Sequence, residues 1–200
     1  HKTLCGPRAA VILTDDKAIS DKIDKAVFPG EQGGPHINTI AALATTFKLA
    51  QSQLFKDLQT QIMRNAVAFA DELQKNGFII PYKGTDSHIV LLDCKSIKNP
   101  ADGTPLSGDM AARILDLAGI VVNRNTIPGD RSALAATGVR FGTPWLTQRG
   151  FKENDLRTVA GLVADLLHAT VPYQICGKVS KRTRAKVEFE TLERVKLRVR

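Results

Sequence analysis

The first residue that could do chemistry is Lys2, which lies in the opening stretch His-Lys-Thr-Leu-Cys-Gly-Pro-Arg. The Gly6-Pro7 pair predicts a turn, and Arg8 places a second positive charge nearby. A lysine amine held by a stiff turn beside another cation is a better nucleophile than one in free solvent. These residues alone favour an ordinary exposed lysine. Whether Lys2 has a chemical role therefore depends on the rest of the sequence.

A second candidate, Arg140, lies at the centre of the run Gly-Val-Arg-Phe-Gly-Thr-Pro, residues 138–144. The run predicts a strand that carries one charged side chain between two glycines. A guanidinium group matches a carboxylate with two parallel hydrogen bonds, and glycines leave room for a ligand. Arg140 is therefore a candidate carboxylate clamp, and a structural ion pair is the alternative.

A glycine-rich loop is the third candidate. Residues 28–36 read Phe-Pro-Gly-Glu-Gln-Gly-Gly-Pro-His, a composition that excludes a helix or a central strand. A helix is predicted shortly afterwards, and the backbone N–H groups of Gly33 and Gly34 could approach a phosphate without hindrance. Because ordinary connecting loops share this composition, the pattern alone is weak evidence.

The elements that would position these residues alternate between strands and helices. Hydrophobic periodicity predicts strands over 9–13, 78–82, 89–93 and 120–122, a strand around Arg140, and helices over 39–57, 59–76, 109–118 and 153–167. The run at 89–93 is continuously apolar, so it should be buried on both faces or packed under helices. The order of elements predicts an α/β fold in which the opening residues, up to about 55, form a separate unit.

Composition and cysteine content narrow the class of protein. The 200 residues are 43% hydrophobic and 24% charged, as in ordinary globular chains. No apolar run is long enough for a membrane span. Cys5, Cys94 and Cys176 form neither a disulfide framework nor a zinc pattern, so we expect no metal and a cytoplasmic location. Because the chain does not begin with methionine, we expect it to be part of a longer polypeptide.

The positive charge is concentrated near the C-terminus. Residues 178–200 carry nine Lys or Arg and three Glu, so 9 − 3 = +6 of the total net charge of +8 lies there. The basic segment 178–186 could contact phosphates. A solvated amphipathic helix is the favoured interpretation, because apolar residues approximate a helical stripe between the charges: Val187, Leu192, Val195 and Val199.

Five motifs occur in a fixed order along the chain. They are His-Lys-Thr-Leu-x-Gly-Pro-Arg (1–8), Phe-Pro-Gly-x-Gln-Gly-Gly-Pro (28–35), Thr-Asp-x-His (85–88), Val-Asn-x-Asn (122–125) and Gly-Val-Arg-Phe-Gly-Thr-Pro (138–144). Together they closely resemble the C-terminal half of the serine hydroxymethyltransferases. The resemblance implies the pyridoxal 5′-phosphate-dependent, aminotransferase-like fold (fold type I). Residues 1–56 would end its large domain and begin the connecting helix, and residues 57–200 would form the small C-terminal α/β domain.

The resemblance also implies roles at a cofactor site. Lys2 matches the lysine that binds pyridoxal phosphate covalently, and His1 and Arg8 match neighbours of the cofactor. Gly33 and Gly34 match a loop that reaches the cofactor phosphate of the other subunit. A homodimer or a dimer of dimers, with cofactor sites at the interface, is therefore implied.

Substrate-binding residues follow from the same resemblance. Arg140 matches the arginine that binds the substrate α-carboxylate, and Asn125 and Ser132 match the region that contacts folate. The implied activity interconverts serine and glycine and passes the one-carbon unit to or from tetrahydrofolate. This chain alone should be inactive, because the family's N-terminal half supplies other residues of the site. Neither a membrane nor a nucleic acid is expected as a partner.

Two alternatives stay open. The sequence departs from the family pattern at Ala9-Ala10, Ser87 and Trp145, and the bulky indole of Trp145 could alter the mouth of the substrate or folate site. One alternative is a folate-independent pyridoxal-phosphate aldolase for β-hydroxy amino acids, although the presence of Asn125 argues against it. The other is a non-catalytic fragment whose basic tail contacts nucleic acid.

Overall fold

A computed structural model describes residues 1–176 and 181–199, and for 176, 181 and 182 it describes the backbone only. The chain divides into two compact units, His1–Gln59 and Thr60–Arg200. Helices and strands occur together, which confirms the predicted α/β class. None of the helices in the described ranges combines the length and the apolar composition that crossing a bilayer requires.

The first unit is helical. It contains α1 (Lys17–Lys25), a wide turn over Ala26–Glu31, α2 (Ile37–Ala50) and the beginning of α3 (Gln53–Lys75). The Asp16 carboxylate caps α1 by accepting a hydrogen bond from the Ile19 N–H at 3.0 Å. The predicted helix over 39–57 is wrong in its extent, because the chain breaks at residues 51–52 and a new helix begins there.

The predicted strand over residues 9–13 is also wrong. These residues form no strand, because no neighbouring segment in the described chain pairs with them. Their side chains are exposed, reaching 87% for Leu13. Thr46 is the only buried residue within the first unit, all of which is described. The unit therefore lacks the hydrophobic core of an independent domain and presents apolar side chains to its surroundings.

The second unit is built on a three-stranded antiparallel sheet. Its strands are β1 (Ile89–Asp93), β2 (Asn123–Asn125) and β3 (Gly138–Gly142), in the order β1-β3-β2. In the register, Arg140 on the central strand lies opposite Leu91 on one side and Asn123 on the other. Since residues directly opposite share a face, these side chains occupy one side of the sheet.

The other side of the sheet is the core. The side chains that it buries are Val90, Leu92, Val139 and Phe141, and they join one hydrophobic cluster with residues of α3, α4 (Gly108–Leu117) and α6 (Glu153–His168). The rings of Phe69 and Phe141 meet edge to face with centroids 5.1 Å apart. β1 therefore alternates between buried and half-buried positions, and it is not buried on both faces.

Of the other predicted elements, two helices form and two strands do not form as predicted. The helices predicted over 109–118 and 153–167 are confirmed by α4 and α6, and Ser107 caps α4 by accepting from the Met110 N–H at 3.3 Å. The strand predicted over 120–122 is wrong, because pairing begins only at Asn123. Ile120 and Val122 instead pack against the core from the preceding loop. Over 78–82, only one isolated bridge forms, between Ile79 and Asp93.

The C-terminal prediction is partly wrong. Strand β5 (Lys181–Val187) lies where a helix was expected and pairs antiparallel with β4 (Thr170–Cys176), and α7 (Phe189–Val199) follows. Ala185 and Val187 pack against the core. Their spacing of two residues is the strand period. The helical prediction is confirmed over 189–199, where Leu192, Val195 and Val199 lie on α7 and pack in the core. Residues 178–180 and 200 of the predicted helix lie outside the described residues.

A buried polar network fixes the segment that follows β3. The Asn65 amide of α3, which has no exposed surface, donates to Thr147 Oγ1 and to the Phe151 carbonyl, both at 2.8 Å. Thr147 Oγ1 donates in turn to the Thr143 carbonyl at 2.8 Å, and Thr143 Oγ1 donates to the Ile62 carbonyl at 3.0 Å. α5 (Pro144–Gln148) is thereby joined to α3, so the end of the Arg140 strand has a fixed position.

We expect Asn65→Ala to lower the free energy of unfolding by about 2–4 kcal/mol, because it removes the interior hydrogen bonds to Thr147 Oγ1 and to the Phe151 carbonyl. Urea unfolding followed by circular dichroism measures this loss. Asn76→Ala is the matched control, since Asn76 ends the same helix with a single half-buried bond to the Glu72 carbonyl. Its expected cost is about 0.5–1.5 kcal/mol. Equal losses in the two variants would contradict the structural role of the network.

Candidate functional site

The backbone around Lys2 is held in a turn. The Lys2 carbonyl accepts a hydrogen bond from the Cys5 N–H at 3.1 Å, and Cys5 has a positive φ of 58°. The turn therefore lies at residues 2–5 and not at the predicted Gly6-Pro7 pair. Gln59 Nε2 fixes it further by donating to the Thr3 carbonyl at 3.1 Å.

Gly6 has a different role from the predicted one. A Cβ atom there would lie 2.6 Å from Thr46 Oγ1, so the absence of a side chain lets the opening segment approach α2 closely. While the backbone of this segment is fixed, the Lys2 side chain is exposed, and within the described residues no ion pair or hydrogen bond engages its amine. Arg8 is exposed as well.

The glycine-rich loop leads into the N-terminus of α2. His36 occupies the cap position of this helix without a side-chain hydrogen bond. A Cβ atom at Gly33 or at Gly34 would meet nothing within 4 Å. Packing inside the described chain therefore does not require glycine at these two positions, and the loop leaves its backbone amides accessible.

Arg140 has only a neutral partner. Its Nη2 donates to Asn123 Oδ1 at 3.3 Å, and among the described residues no carboxylate lies within ion-pairing distance. In the register Asn125 lies opposite Gly138, so its strand position shares the Arg140 side of the sheet. Most of the guanidinium donors are therefore available on a half-buried face that also carries amides.

The two glycines that flank Arg140 serve different purposes. A Cβ atom at Gly138 would lie 2.4 Å from Ile127 Cγ2 and 3.0 Å from the Asn125 carbonyl, so Gly138 permits close packing of the strands. Gly142 is exposed, and a Cβ atom there would meet only Pro144 Cδ at 3.8 Å. The prediction that both glycines leave room for a ligand is therefore wrong for Gly138.

The loop between β2 and β3 is organised by Asp130. Its carboxylate accepts hydrogen bonds from the Ile127 N–H at 3.1 Å, the Thr137 N–H at 2.9 Å and the Thr137 hydroxyl at 2.6 Å. Ser132 is exposed in this loop, and its Oγ accepts from the Leu134 N–H at 3.2 Å. The structure places Asn125 on the same side of the sheet as Arg140 and Ser132 in a local turn.

Burial raises the pKa of the Asp130 carboxyl, but the hydrogen bonds from Thr137 and Ile127 and the charge of Lys95 outweigh burial and hold the pKa below its usual value of 3.8. Because the folded-state pKa is depressed, the stabilisation is present above the unfolded pKa and is lost as pH falls through the folded one. We expect Asp130→Asn to destabilise the protein near pH 7 and the difference from the native protein to shrink below about pH 4.

Urea unfolding at a series of pH values measures this difference. Asp109→Asn is a suitable control, since Asp109 is half exposed and makes surface ion pairs with Arg113 and Arg124. Such pairs contribute little to stability. A difference between native protein and Asp130→Asn that stays constant from pH 7 to pH 3 would refute the proposed linkage.

A metal site and a reactive thiol are two further kinds of functional site. No group of three His, Cys, Asp or Glu side chains in the described ranges is arranged to hold a metal ion. Burial, followed by the charge of Asp93, raises the pKa of the Cys94 thiol to about 12. Cys94 is therefore a packed core residue and not a reactive nucleophile.

The sequence analysis missed Asn65 and Asp130. Asn65 lies three residues after Ile62 and four before Phe69, on the apolar face of a predicted helix, so a polar residue at a core position was the available signal. Asp130 follows Pro128-Gly129, where a carboxylate commonly bonds nearby backbone N–H groups. Asn65 fixes the segment that follows the Arg140 strand, and Asp130 fixes the loop that precedes it.

The sheet and its site define an α/β domain in which an arginine bonds to an asparagine and has no carboxylate partner among the described residues, and comparison with known proteins specifies the family. A family model described as serine hydroxymethyltransferase matches residues 1–163. The serine hydroxymethyltransferase of Phytoplasma mali (strain AT) is 47% identical over 168 residues, which cover 84% of this chain and 39% of that protein.

Two Rickettsia proteins of the same name agree with this match. That of Rickettsia canadensis (strain McKiel) is 47% identical over 84% of this chain and 38% of its own length. That of Rickettsia akari (strain Hartford) is 42% identical over 98% of this chain and 43% of its own length. The chain belongs to the serine hydroxymethyltransferase family, as its motifs predicted, and it spans about two fifths of the length of these curated relatives.

Proposed function

We propose that the protein carrying this chain interconverts serine and glycine and transfers the one-carbon unit to or from tetrahydrofolate, as a pyridoxal-phosphate-dependent transferase. The observation that carries the proposal is Arg140. Its guanidinium lies on the half-buried face of a sheet without a carboxylate partner among the described residues. An amino acid α-carboxylate would supply the missing charge and form two parallel hydrogen bonds.

The residues of the first unit fit a phosphate-bearing aldehyde. Lys2 offers an exposed amine on a fixed turn, and Arg8 adds positive charge in the same segment. The amides at Gly33 and Gly34 are accessible to a phosphate group before the N-terminus of α2. Pyridoxal phosphate, when bound, supplies an electron sink for the substrate Cα. In this proposal Lys2 attaches the cofactor, His1 and Arg8 lie beside it, and the two glycines contact the phosphate.

The second unit would bind the substrates. Arg140 orients the amino acid by its carboxylate, which is a positioning contribution to the reaction. Asn125 lies on the same side of the sheet and Ser132 in the adjoining loop, and we assign both to folate. In the same proposal, residues 1–56 complete a large domain of the type I fold and residues 57–200 form the small domain.

The proposal includes an assembly. The exposed apolar side chains of the first unit would be covered by other parts of the complete protein, in a cytoplasmic homodimer or dimer of dimers. Gly33 and Gly34 would then serve the cofactor of the neighbouring subunit. The lack of a core in the first unit supports this arrangement, because the unit buries too little apolar surface to be stable alone.

Tetrahydrofolate dependence tests the proposal. The full-length protein should bind pyridoxal phosphate, with visible absorbance, and should form glycine from serine only when tetrahydrofolate is present. Serine cleavage at the same rate without tetrahydrofolate would favour the aldolase alternative. Absence of both cofactor absorbance and cleavage would overturn the proposal as a whole.

A further inference from the structure

The hairpin β4–β5 has two chemically different faces. On the inner face, Thr170 and Pro172 are buried, and Ala185 and Val187 pack against the core. The alternate residues therefore point outward. On β4 these are Val171, Tyr173 and Ile175, and Val171 and Ile175 are 41% and 48% exposed. The family match ends at residue 163, so this hairpin lies beyond it.

Basic residues of β5 lie opposite these apolar ones. In the register Arg184 pairs with Tyr173, and Lys186 pairs with Val171. The Lys186 ammonium lies 5.5 Å from the centre of the Tyr173 ring, which is a cation–π contact on the outer face. Within the described part of the chain, the one hydrogen bond that Arg184 donates goes to the carbonyl of its neighbour Thr183, at 3.4 Å. The outer face thus combines an apolar and aromatic row with a parallel basic row.

The charge of the hairpin is not neutralised. Residues 170–187 contain five Lys or Arg and neither Asp nor Glu. Among the described residues, no carboxylate lies within ion-pairing distance of Arg184 or Lys186. Two other surface arginines do have carboxylate partners: Arg113 pairs with Asp109, and Arg194 pairs with Asp165. Arg184 and Lys186 therefore place two positive charges on the hairpin that no carboxylate of the described residues neutralises.

We propose that the outer face of this hairpin, defined by Val171, Tyr173, Ile175, Arg184 and Lys186, binds single-stranded nucleic acid without strong sequence preference. Successive outward residues of a strand are about 7 Å apart, which gives a linear row of cations for a linear chain of phosphates. The neighbouring row on β4 offers a surface on which bases can lie. A membrane would instead require apolar side chains that project beyond the cations.

The native protein provides the first test. Fluorescence anisotropy measures binding of 5′-labelled oligo(U) and oligo(dT) of about 12 nucleotides, at several salt concentrations. With two to five phosphate contacts, the slope of log K against log salt should lie between about −1.4 (0.7 × 2) and −3.5 (0.7 × 5). Equal binding of both oligomers indicates backbone recognition, and tighter binding of oligo(U) indicates contacts to the 2′-hydroxyl.

A matched pair of variants locates the site. The double substitution Arg184→Gln/Lys186→Gln should weaken binding about tenfold or more and flatten the salt slope by about 1.4. Arg113→Gln/Arg194→Gln removes the same charge from exposed positions on α4 and α7. Its binding should change less than about twofold. Circular dichroism and serine cleavage should match those of the native protein in both variants.

Three results would overturn the proposal. One is a salt-independent or undetectable interaction of the native full-length protein with either oligomer. Another is equal weakening in the two double variants, which would show attraction by net charge alone. The third is binding to vesicles of phosphatidylcholine with about 30% phosphatidylserine but not to the oligomers, which would assign the face to anionic lipid.

Discussion

Replacing Lys2 with alanine is expected to abolish the visible absorbance of bound pyridoxal phosphate and to lower the rate of glycine formation from serine by about 10³-fold or more. The proposed function gives the Lys2 amine the covalent attachment of the cofactor, and no other side chain in the opening turn carries a primary amine. The Lys2 side chain is exposed and makes no ion pair among the described residues. Its loss should therefore leave the unfolding temperature of the cofactor-free protein unchanged, while the native protein is further stabilised by its bound cofactor.

Lys48→Ala is the matched control for this experiment. Lys48 is an exposed lysine of α2, in the same unit. It should retain both the absorbance and the activity of the native full-length protein. If Lys2→Ala kept the absorbance band and normal turnover, the assignment of Lys2 would be wrong. If both variants lost activity together, a general effect of charge or folding would be indicated.

The sequence correctly predicted the elements whose signals, such as helix caps and apolar runs, lie within the element or directly beside it. α4 begins at a Ser107 cap and ends before Gly119, and β1 is bounded by polar residues, so cap chemistry and apolar runs locate them. α6 follows from helical periodicity alone. In these cases the side chains that signal the element are also the ones that it buries.

Elements that depend on distant partners could not be predicted in this way. Residues 9–13 have the composition of a strand but no strand of the described chain pairs with them, while residues 181–187 were predicted as the beginning of a helix but pair with β4. Hydrogen bonding across a sheet is set by the partner, and one sequence does not identify the partner. The same reasoning explains why the strand predicted over 120–122 lies instead at Asn123–Asn125, since these are the residues that pair with β3.

For the candidate site, the sequence predicted residue types better than their surroundings. The motifs identified Arg140 and Asn125, and the register places their positions on the same side of the sheet. The sequence could not show that Arg140 has no ion-pair partner among the residues that the structure describes, because that depends on every side chain that the fold brings near. Nor could it show that Gly138 is required by packing while Gly142 is open, since the atoms that a Cβ would meet belong to other segments.

Arg140→Ala is expected to lower kcat/KM for serine by about 10²- to 10³-fold, because the substrate carboxylate would lose a bidentate, charge-assisted partner. The KM for tetrahydrofolate should change little, since a different set of residues is assigned to folate. Arg140→Lys keeps the charge but not the planar fork, and it should recover part of the loss. Steady-state kinetics with each substrate varied in turn separate these effects.

The structure also supplies a control that distinguishes a carboxylate clamp from a structural arginine. Arg124 lies on the neighbouring strand and pairs with Asp109 at 3.3 Å, on the exposed surface. Arg124→Ala should leave kcat/KM within about twofold, because exposed pairs contribute little. Among the described residues Arg140 bonds only to the exposed Asn123, so its substitution should not lower the unfolding temperature. A large loss of stability in Arg140→Ala, with kcat/KM for serine unchanged in the folded fraction, would assign Arg140 to the scaffold instead of the substrate.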